Sequence, residues 1–295
     1  MEAAAFLEES GRTRSARFRA CLKRTSADAT SDEDIHDLRV AIRRVLAWIA
    51  VRTALLGPDP RLRETRFSLK ALMNPLGKLR DAHVKRDWIR KVAPEGDEPS
   101  YLYTVQVASD ILRWEARVRE RLGAPSTRRL RVPLPRAAGG LGGRLEAAIL
   151  APDILGRLER EVSKHRDAAL DPAHPEALHR MRLAFKKYRY AAEVLLPLFP
   201  KATDETAKRL HDFQTLLGTI HDCDVILAEA ASFRRGILGL EKECALETAF
   251  RAFREKRSGE FREIAGTAGG LSRVFGTEFH SSPRHVSALL PPDQE

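Results

Sequence analysis

Histidine and arginine recur together at helical spacing in two places. In 35-IHDLRVAIRRVLAWIA-50, His36, Arg39 and Arg43 follow at intervals of three and four residues, and 178-LHRMRLAFKKYRYAAEVLL-196 repeats this with His179, Arg182 and Lys186. At about 100° per residue, each trio shares one helical sector. That sector borders an apolar one: Leu38, Ile42, Val45 and Ile49 in the first stretch, Met181, Phe185 and Tyr188 in the second. Arg44 points away, whereas Arg189 leans toward the apolar side. A guanidinium fork matches the oxygens of a phosphate, an ammonium adds a point charge, and imidazole gains charge as pH falls. Single arginines at such borders commonly snorkel to water. Solvated faces, however, mix signs through i,i+4 acid–base pairs, and four residues from Arg39, Arg43, Lys186 and Arg189 the only acid is Glu193. Like charge without compensation points to an anionic ligand. Arg63, Arg66 and Lys70 form a further i, i+3, i+7 stripe, and Lys208 and His211 occupy a comparable arc in the second half. Alanine at Arg39 and Arg182 is expected to weaken anion binding with melting nearly unchanged.

The elements that carry these residues are helices. Strand-like alternation is almost absent, and Ala, Leu, Arg and Glu are abundant. Ser31 is expected to cap a helix with Asp34 at the capping-box position, and 57-GPDP-60 to end it, with Asp59 capping the next helix and Pro60 in its first turn. Pro175 suits the start of the helix carrying His179, and Pro197 and Pro200 end or kink it. A second match, 76-LGKLRDAHV-84 with 217-LGTIHDCDV-225, lies at an offset of 141 residues, close to the 143 that separates the histidines. The spacing predicts an all-α chain with a duplicated helical unit, repeat one at about 1–122 and repeat two at about 145–262. These form two fused bundles rather than a solenoid, whose period would be shorter. The Gly/Pro/Arg-rich run 123-GAPSTRRLRVPLPRAAGGLGG-143 marks the linker, set at 123–144, and residues 263–295 lose helical periodicity and are expected to be a flexible tail.

Composition narrows the partners. Across 295 residues, 51 Lys and Arg against 41 Asp and Glu give a formal charge of +10, which favours a polyanion. Cys21, Cys223 and Cys244 fit neither a disulfide framework nor a zinc site, and read as free thiols in a reducing cytoplasm. No secretory signal and no apolar run of roughly 20 residues is seen, so no membrane span is expected.

H-x-x-R-x-x-x-[RK] on a helix, followed about 40 residues later by L-G-x-x-x-D-x-x-V and all of it duplicated, resembles the conserved histidine α-helical domain, CHAD, over about residues 30–260. The resemblance implies a pair of four-helix bundles related by pseudo-twofold symmetry around a basic central cavity, and a single CHAD domain over 1–262. It implies binding of inorganic polyphosphate, in some relatives on polyphosphate or polyester granules, with sulfate or phosphate as simpler anions for the same site. Carried onto matching positions, His36, Arg39, Arg43, His179, Arg182, Lys186 and Arg189 face the ligand. Arg63, Arg66, Lys70, Lys208 and His211 join them on the stripe argument alone. Asp81 and Asp222 match the family's aspartate, expected to cap or to pair with a basic residue. Pro75 stands where the second unit has Leu216, so the first unit's long helix is expected to kink or restart there, and Arg80 and His83 replace His221 and Asp224.

Two other functions fit parts of the pattern. His36-Asp37, His211-Asp212, His221-Asp222 and Asp224 echo the ligands of all-α metal phosphohydrolases, but adjacent helical residues diverge by about 100° and the basic surroundings disfavour a divalent cation. A nucleic-acid binder could use 128-RRLRVPLPR-136 as a backbone-contacting arm, yet Trp48, Trp88 and Trp114 form no stacking platform. P-loop, nucleophile-elbow, H-E-x-x-H and C-x-x-C signatures are missing, as is the E-x-E-x-K of a triphosphate-tunnel domain. The expectation is a non-enzymatic polyphosphate-binding protein without catalytic residues, cofactor or metal.

Overall fold

The computed structural model describes residues 3–25, 31–93, 96–134, 143–171 and 174–280. It is all-helical among these residues, with α1 (Ala3–Thr25), α2 (Asp32–Leu56), α3 (Pro60–Val92), α4 (Glu98–Gly123), α5 (Pro125–Arg128), α6 (Gly143–Ser163), α7 (Arg166–Leu170), α8 (Pro175–Leu195), α9 (Asp204–Gly236), α10 (Ala245–Ala265) and α11 (Gly270–Phe275).

Local chemistry sets the helix ends where the sequence places them. The Ser31 hydroxyl accepts from the Asp34 amide at 3.1 Å while the Asp34 carboxylate accepts from the Ser31 amide at 3.2 Å, so two donors left over by the first turn are satisfied. Gly57, at φ +79°, ends α2 in a backbone conformation that disfavours a side chain. Asp59 then accepts from the Arg61 amide at 2.9 Å, and Pro60 opens α3. Pro175 likewise opens α8, which passes into a 3₁₀ turn at Leu196–Leu198. At Pro75 the expected restart does not occur. α3 runs through it unbroken, held by the buried Leu72, Leu76 and Leu79.

Packing joins the halves. α1 and α2 pack on α6 and α8, and α3 and α4 pack on α9 and α10. Each four-helix bundle therefore takes one hairpin from each half of the chain. One core centres on Trp48, Phe185 and Tyr188, the other on Ile89, Tyr103, Cys223, Ile226 and Phe250. Gly11 is needed for the first: a Cβ there would sit 2.5 Å from the Trp48 ring, whose indole N–H donates to Leu7 O at 2.9 Å. The second is stitched at the start of α4. Asp97, which caps α4, also accepts from the Ala245 amide at 3.0 Å, and the Ser100 hydroxyl accepts from Leu246 at 3.1 Å.

Two loop expectations are revised. The arm proposed for nucleic acid is docked: Val132 is buried and Leu130 and Leu134 pack on the first core, while Pro135 and Arg136 lie outside the described residues. Where the described residues reach into the expected tail, they form α11 and pack on the core. Leu271, Val274, Phe275 and Phe279 are buried, with Phe275 stacked edge-on against Tyr188 at 4.8 Å. Their helical spacing is masked in sequence by Gly266, Gly269, Gly270 and Gly276. Residues 281–295 lie outside the described residues.

Candidate functional site

α2 and α8 pack against each other, and this brings the two basic stripes face to face. Their apolar sectors seat them: Leu38, Ile42, Val45, Met181, Phe185 and Tyr188 are all buried. What remains along the seam is Arg39 and Arg43 from α2 and Arg182 and Lys186 from α8, four cations that act on one another. Burial first, then the charges of Arg43, Arg182 and Arg39, pull the Lys186 ammonium down to about 7. Burial and Arg43 pull Arg39 down to about 10, and burial likewise lowers Arg182.

Arg39 is the most enclosed. Its Nη1 donates to the α3 carbonyls of Leu76 at 3.1 Å and Gly77 at 2.9 Å, with Asp81 more distant at 3.5 Å. Arg39 therefore ties α2 to α3 as well as facing the site. Replacing it with alanine is expected to lower the melting temperature by several degrees, through lost charge-assisted bonds, as well as to weaken anion binding. Thermal denaturation followed by circular dichroism checks this, and it revises the expectation of unchanged melting. Among the described residues, Arg43 reaches only the Tyr190 hydroxyl, at 3.4 Å. The Nε atoms of both arginines are buried without a hydrogen-bond partner among the described residues. Buried donors are nearly always satisfied, so these two Nε donors, on neighbouring arginines, mark a place for an acceptor.

Below the seam lies a polar cavity of about 670 Å³ walled by five helices. Arg39, Arg182 and Lys186 form its α2 and α8 side, with Lys78, Asp81 and Lys85 from α3. His221, Asp222 and Glu229 come from α9, and Asp110, Arg113 and Trp114 from α4. The lining is mixed in sign rather than uniformly basic. Lys85 pairs with Glu229, and Arg113 pairs with Asp110 at 2.7 Å, which neutralises the α4 end. Burial raises the Asp222 carboxyl to about 6 in spite of Arg182, so it holds its charge weakly. The net positive charge gathers where the cavity meets the seam.

The histidines flank this region. His179 and His221 bring their Nδ1 atoms to 3.3 Å, and burial, Arg182 and His179 hold His221 at about 4, so it is neutral near pH 7. His36 feels Arg80 and Arg43 and is also lowered, chiefly by burial. His83 is buried against Asp32 at the start of α2, with Nε2 at 3.3 Å.

The remaining predicted residues are not brought together with these. Arg189 stacks its guanidinium 4.3 Å over the Tyr190 ring, donates to Gln214 at 2.7 Å, and lies 3.9 Å from Glu193. Glu193 pairs more closely with Arg44, at 2.5 Å. Arg63, Arg66 and Lys70 are exposed on α3 and do not line the cavity. Lys208, exposed on α9, pairs with Asp212 at 3.4 Å, and His211 is exposed beside it. Conversely, Lys78, Lys85 and Arg113 went unseen in sequence. The first two share the α3 face of Asp81, which was a usable signal, but Arg113 sits in no repeated motif. Among the described residues, no three His, Cys, Asp or Glu side chains gather as a metal site would require.

A family model described as CHAD domain matches residues 13–231. The chain belongs to the CHAD domain family. Its fold is similar to the crystal structure of the CHAD domain from the plant Ricinus communis, at TM-score 0.57 and 18% identity, covering 96% of this chain and 94% of that one. It is also similar to PptA from Streptomyces chartreusis, at TM-score 0.60 and 16% identity, covering 95% of this chain and 100% of that one. At these identities the likeness is one of fold. No curated protein matches the sequence. The chain's two H-x-x-R stretches lie on the two helices that meet at the seam, and none of its described helices is long and apolar enough to cross a membrane.

Proposed function

We propose that this CHAD domain binds inorganic polyphosphate along the seam between α2 and α8, with the chain entering the cavity below. The observation that carries this reading is the cluster of Arg39, Arg43, Arg182 and Lys186, in which burial and then mutual repulsion pull Lys186 down to about 7. A linear polyanion supplies closely spaced acceptors, which such a cluster needs and a single carboxylate cannot provide. Forked guanidinium groups can each take two phosphate oxygens. The matched helix pairings of the two halves support a duplicated unit with approximate twofold symmetry, which lets one chain of phosphates meet equivalent residues from both sides. The role is binding, in a granule-associated or scaffolding module of the cytoplasm, rather than catalysis.

The test is competition at fixed ionic strength. Long-chain polyphosphate is expected to displace labelled single-stranded DNA, and the reverse to fail. Preference for the nucleic acid contradicts the reading. Affinity for polyphosphate should fall with a log–log salt slope of about −2 to −3 for four engaged phosphates, using the value of about −0.7 per phosphate for single strands as a guide.

Binding should also depend on pH through Lys186. Above about pH 7 the folded, unliganded chain releases this proton. A bound polyanion favours the charged form, so affinity declines as pH rises past about 7, and binding at pH 8 takes up a proton. In the free protein the unfolded chain keeps the proton to about its ordinary 10.5, so stability rises with pH across that window. Lys186→Met loses both effects. Calorimetry in buffers of different ionisation enthalpy measures the proton uptake, and urea denaturation between pH 6.5 and 9.5 measures the stability gain.

A further inference from the structure

A second cavity of about 670 Å³ opens between α2, α6 and α8, and its character differs from the first. Leu46, Ala47, Val51, Ile154, Leu158 and Ala191 give it an apolar wall, with Ala50, Ala54 and Leu183 exposed at its edge. Along α2 it runs from Arg43 to Ala54, roughly 16 Å at the helical rise. Arg43, Lys186 and Lys187 provide positive charge from α2 and α8, Arg157 adds another from α6, and no acid among the described residues lines it.

The polyphosphate reading accounts for Arg43 and Lys186 but not for the apolar wall beside them, nor for Arg157 and Lys187. A free phosphate chain would leave the apolar wall facing water, and a purely apolar occupant would leave the cations unanswered. Pockets of this size and composition, apolar with a few convergent polar groups, are the usual form of a small-molecule site. Arg43, whose Nε is buried without an acceptor among the described residues, stands where the groove meets the seam, so an anionic group at this end has a donor to meet.

We propose that the groove binds a single-chain amphiphile, its apolar chain along Leu46, Val51, Ile154 and Leu158 and its phosphate or carboxylate head at Arg43, Lys186 and Lys187. Burial of the chain against the apolar wall removes both surfaces from water, and the head meets the guanidinium. This site shares Lys186 and Arg43 with the seam but stands apart from the polyphosphate reading.

The experiment titrates the full chain calorimetrically with dodecyl phosphate and dodecanoate below their micelle-forming concentrations, against orthophosphate and the uncharged dodecyl maltoside. Both anionic amphiphiles are expected to bind at least about tenfold more tightly than either control, a difference of about 1.4 kcal/mol. Ala50→Trp, and separately Ala54→Trp, place an indole in the groove from its exposed edge. Each should weaken dodecyl phosphate at least about tenfold, leave helicity unchanged and leave polyphosphate affinity unaltered. Equal binding of dodecyl maltoside overturns the proposal, as does indifference to both tryptophans. So does sedimentation showing a dimer of this chain that Ala50→Trp dissociates, since a second copy would then be the occupant. Loss of polyphosphate binding alone would strike the seam and leave the groove standing.

Discussion

Polyphosphate is expected to bind the Arg182→Ala/Lys186→Ala double variant at least about a hundredfold more weakly than the parent chain. Hydrogen bonds to charged groups contribute about 1.5–3 kcal/mol each, and every 1.4 kcal/mol is about tenfold. The two residues supply the whole α8 side of the seam, so the loss falls on one end of every phosphate run that bridges the helices. Burial pulls both down, and the charges of Asp222 and Asp81 for Arg182, and of Asp81 for Lys186, offset this only in part. The variant should therefore fold, and its melting temperature should equal or exceed that of the parent, because burying like charges without ligand opposes folding. Equilibrium binding and thermal melting on the same preparation separate the two effects. A lower melting temperature with unchanged affinity would mean that these residues support structure only.

Glu247→Ala is expected to cost about 3–5 kcal/mol of stability, as breaking a buried ion pair usually does, and to lower the melting temperature by about 10 °C. Arg234 and Glu247 are 3% and 2% exposed, the guanidinium Nε donating to Oε2 at 2.7 Å and Nη2 to Oε1 at 3.3 Å. Glu247 also accepts from the Cys244 amide at 3.1 Å, closing the start of α10, and Arg234 donates to Leu240 O at 2.5 Å, closing the end of α9. Alanine at 247 leaves a buried guanidinium half-satisfied and uncaps α10. Changing both residues to apolar ones should recover much of the loss, since the desolvation penalty then disappears with the pair. Urea denaturation of the single and double variants measures both. A single variant within about 1 kcal/mol of the parent would show that water relieves the charge.

What the sequence makes legible is what depends on neighbours along the chain. Ser31 with Asp34, Asp59 with Pro60, and Pro175 act within one turn, and the helix starts lie where they predict. The stripes of α2 and α8 are legible for the same reason, as helical periodicity orders side chains around a single axis. The direction in which a stripe faces is a non-local matter. Arg63, Arg66 and Lys70 obey the same spacing as His36, Arg39 and Arg43, yet they lie exposed. Arg189 follows the stripe's spacing, yet Gln214 on the next long helix holds it away from the seam's cluster. The exchange of hairpins between the halves follows from tertiary packing of apolar faces. So does the partnership of Lys85 with Glu229, which are 144 residues apart. Motif spacing carries neither.

The most direct measurement is a crystal structure of the chain with a defined medium-length polyphosphate. The account predicts phosphates within hydrogen-bonding distance of Arg39, Arg43, Arg182 and Lys186, with the two orphaned Nε atoms donating to phosphate oxygens and the chain continuing past His221. Ordered polyphosphate lying only along the exposed Arg63, Arg66 and Lys70, with the seam between α2 and α8 left to water, would contradict it.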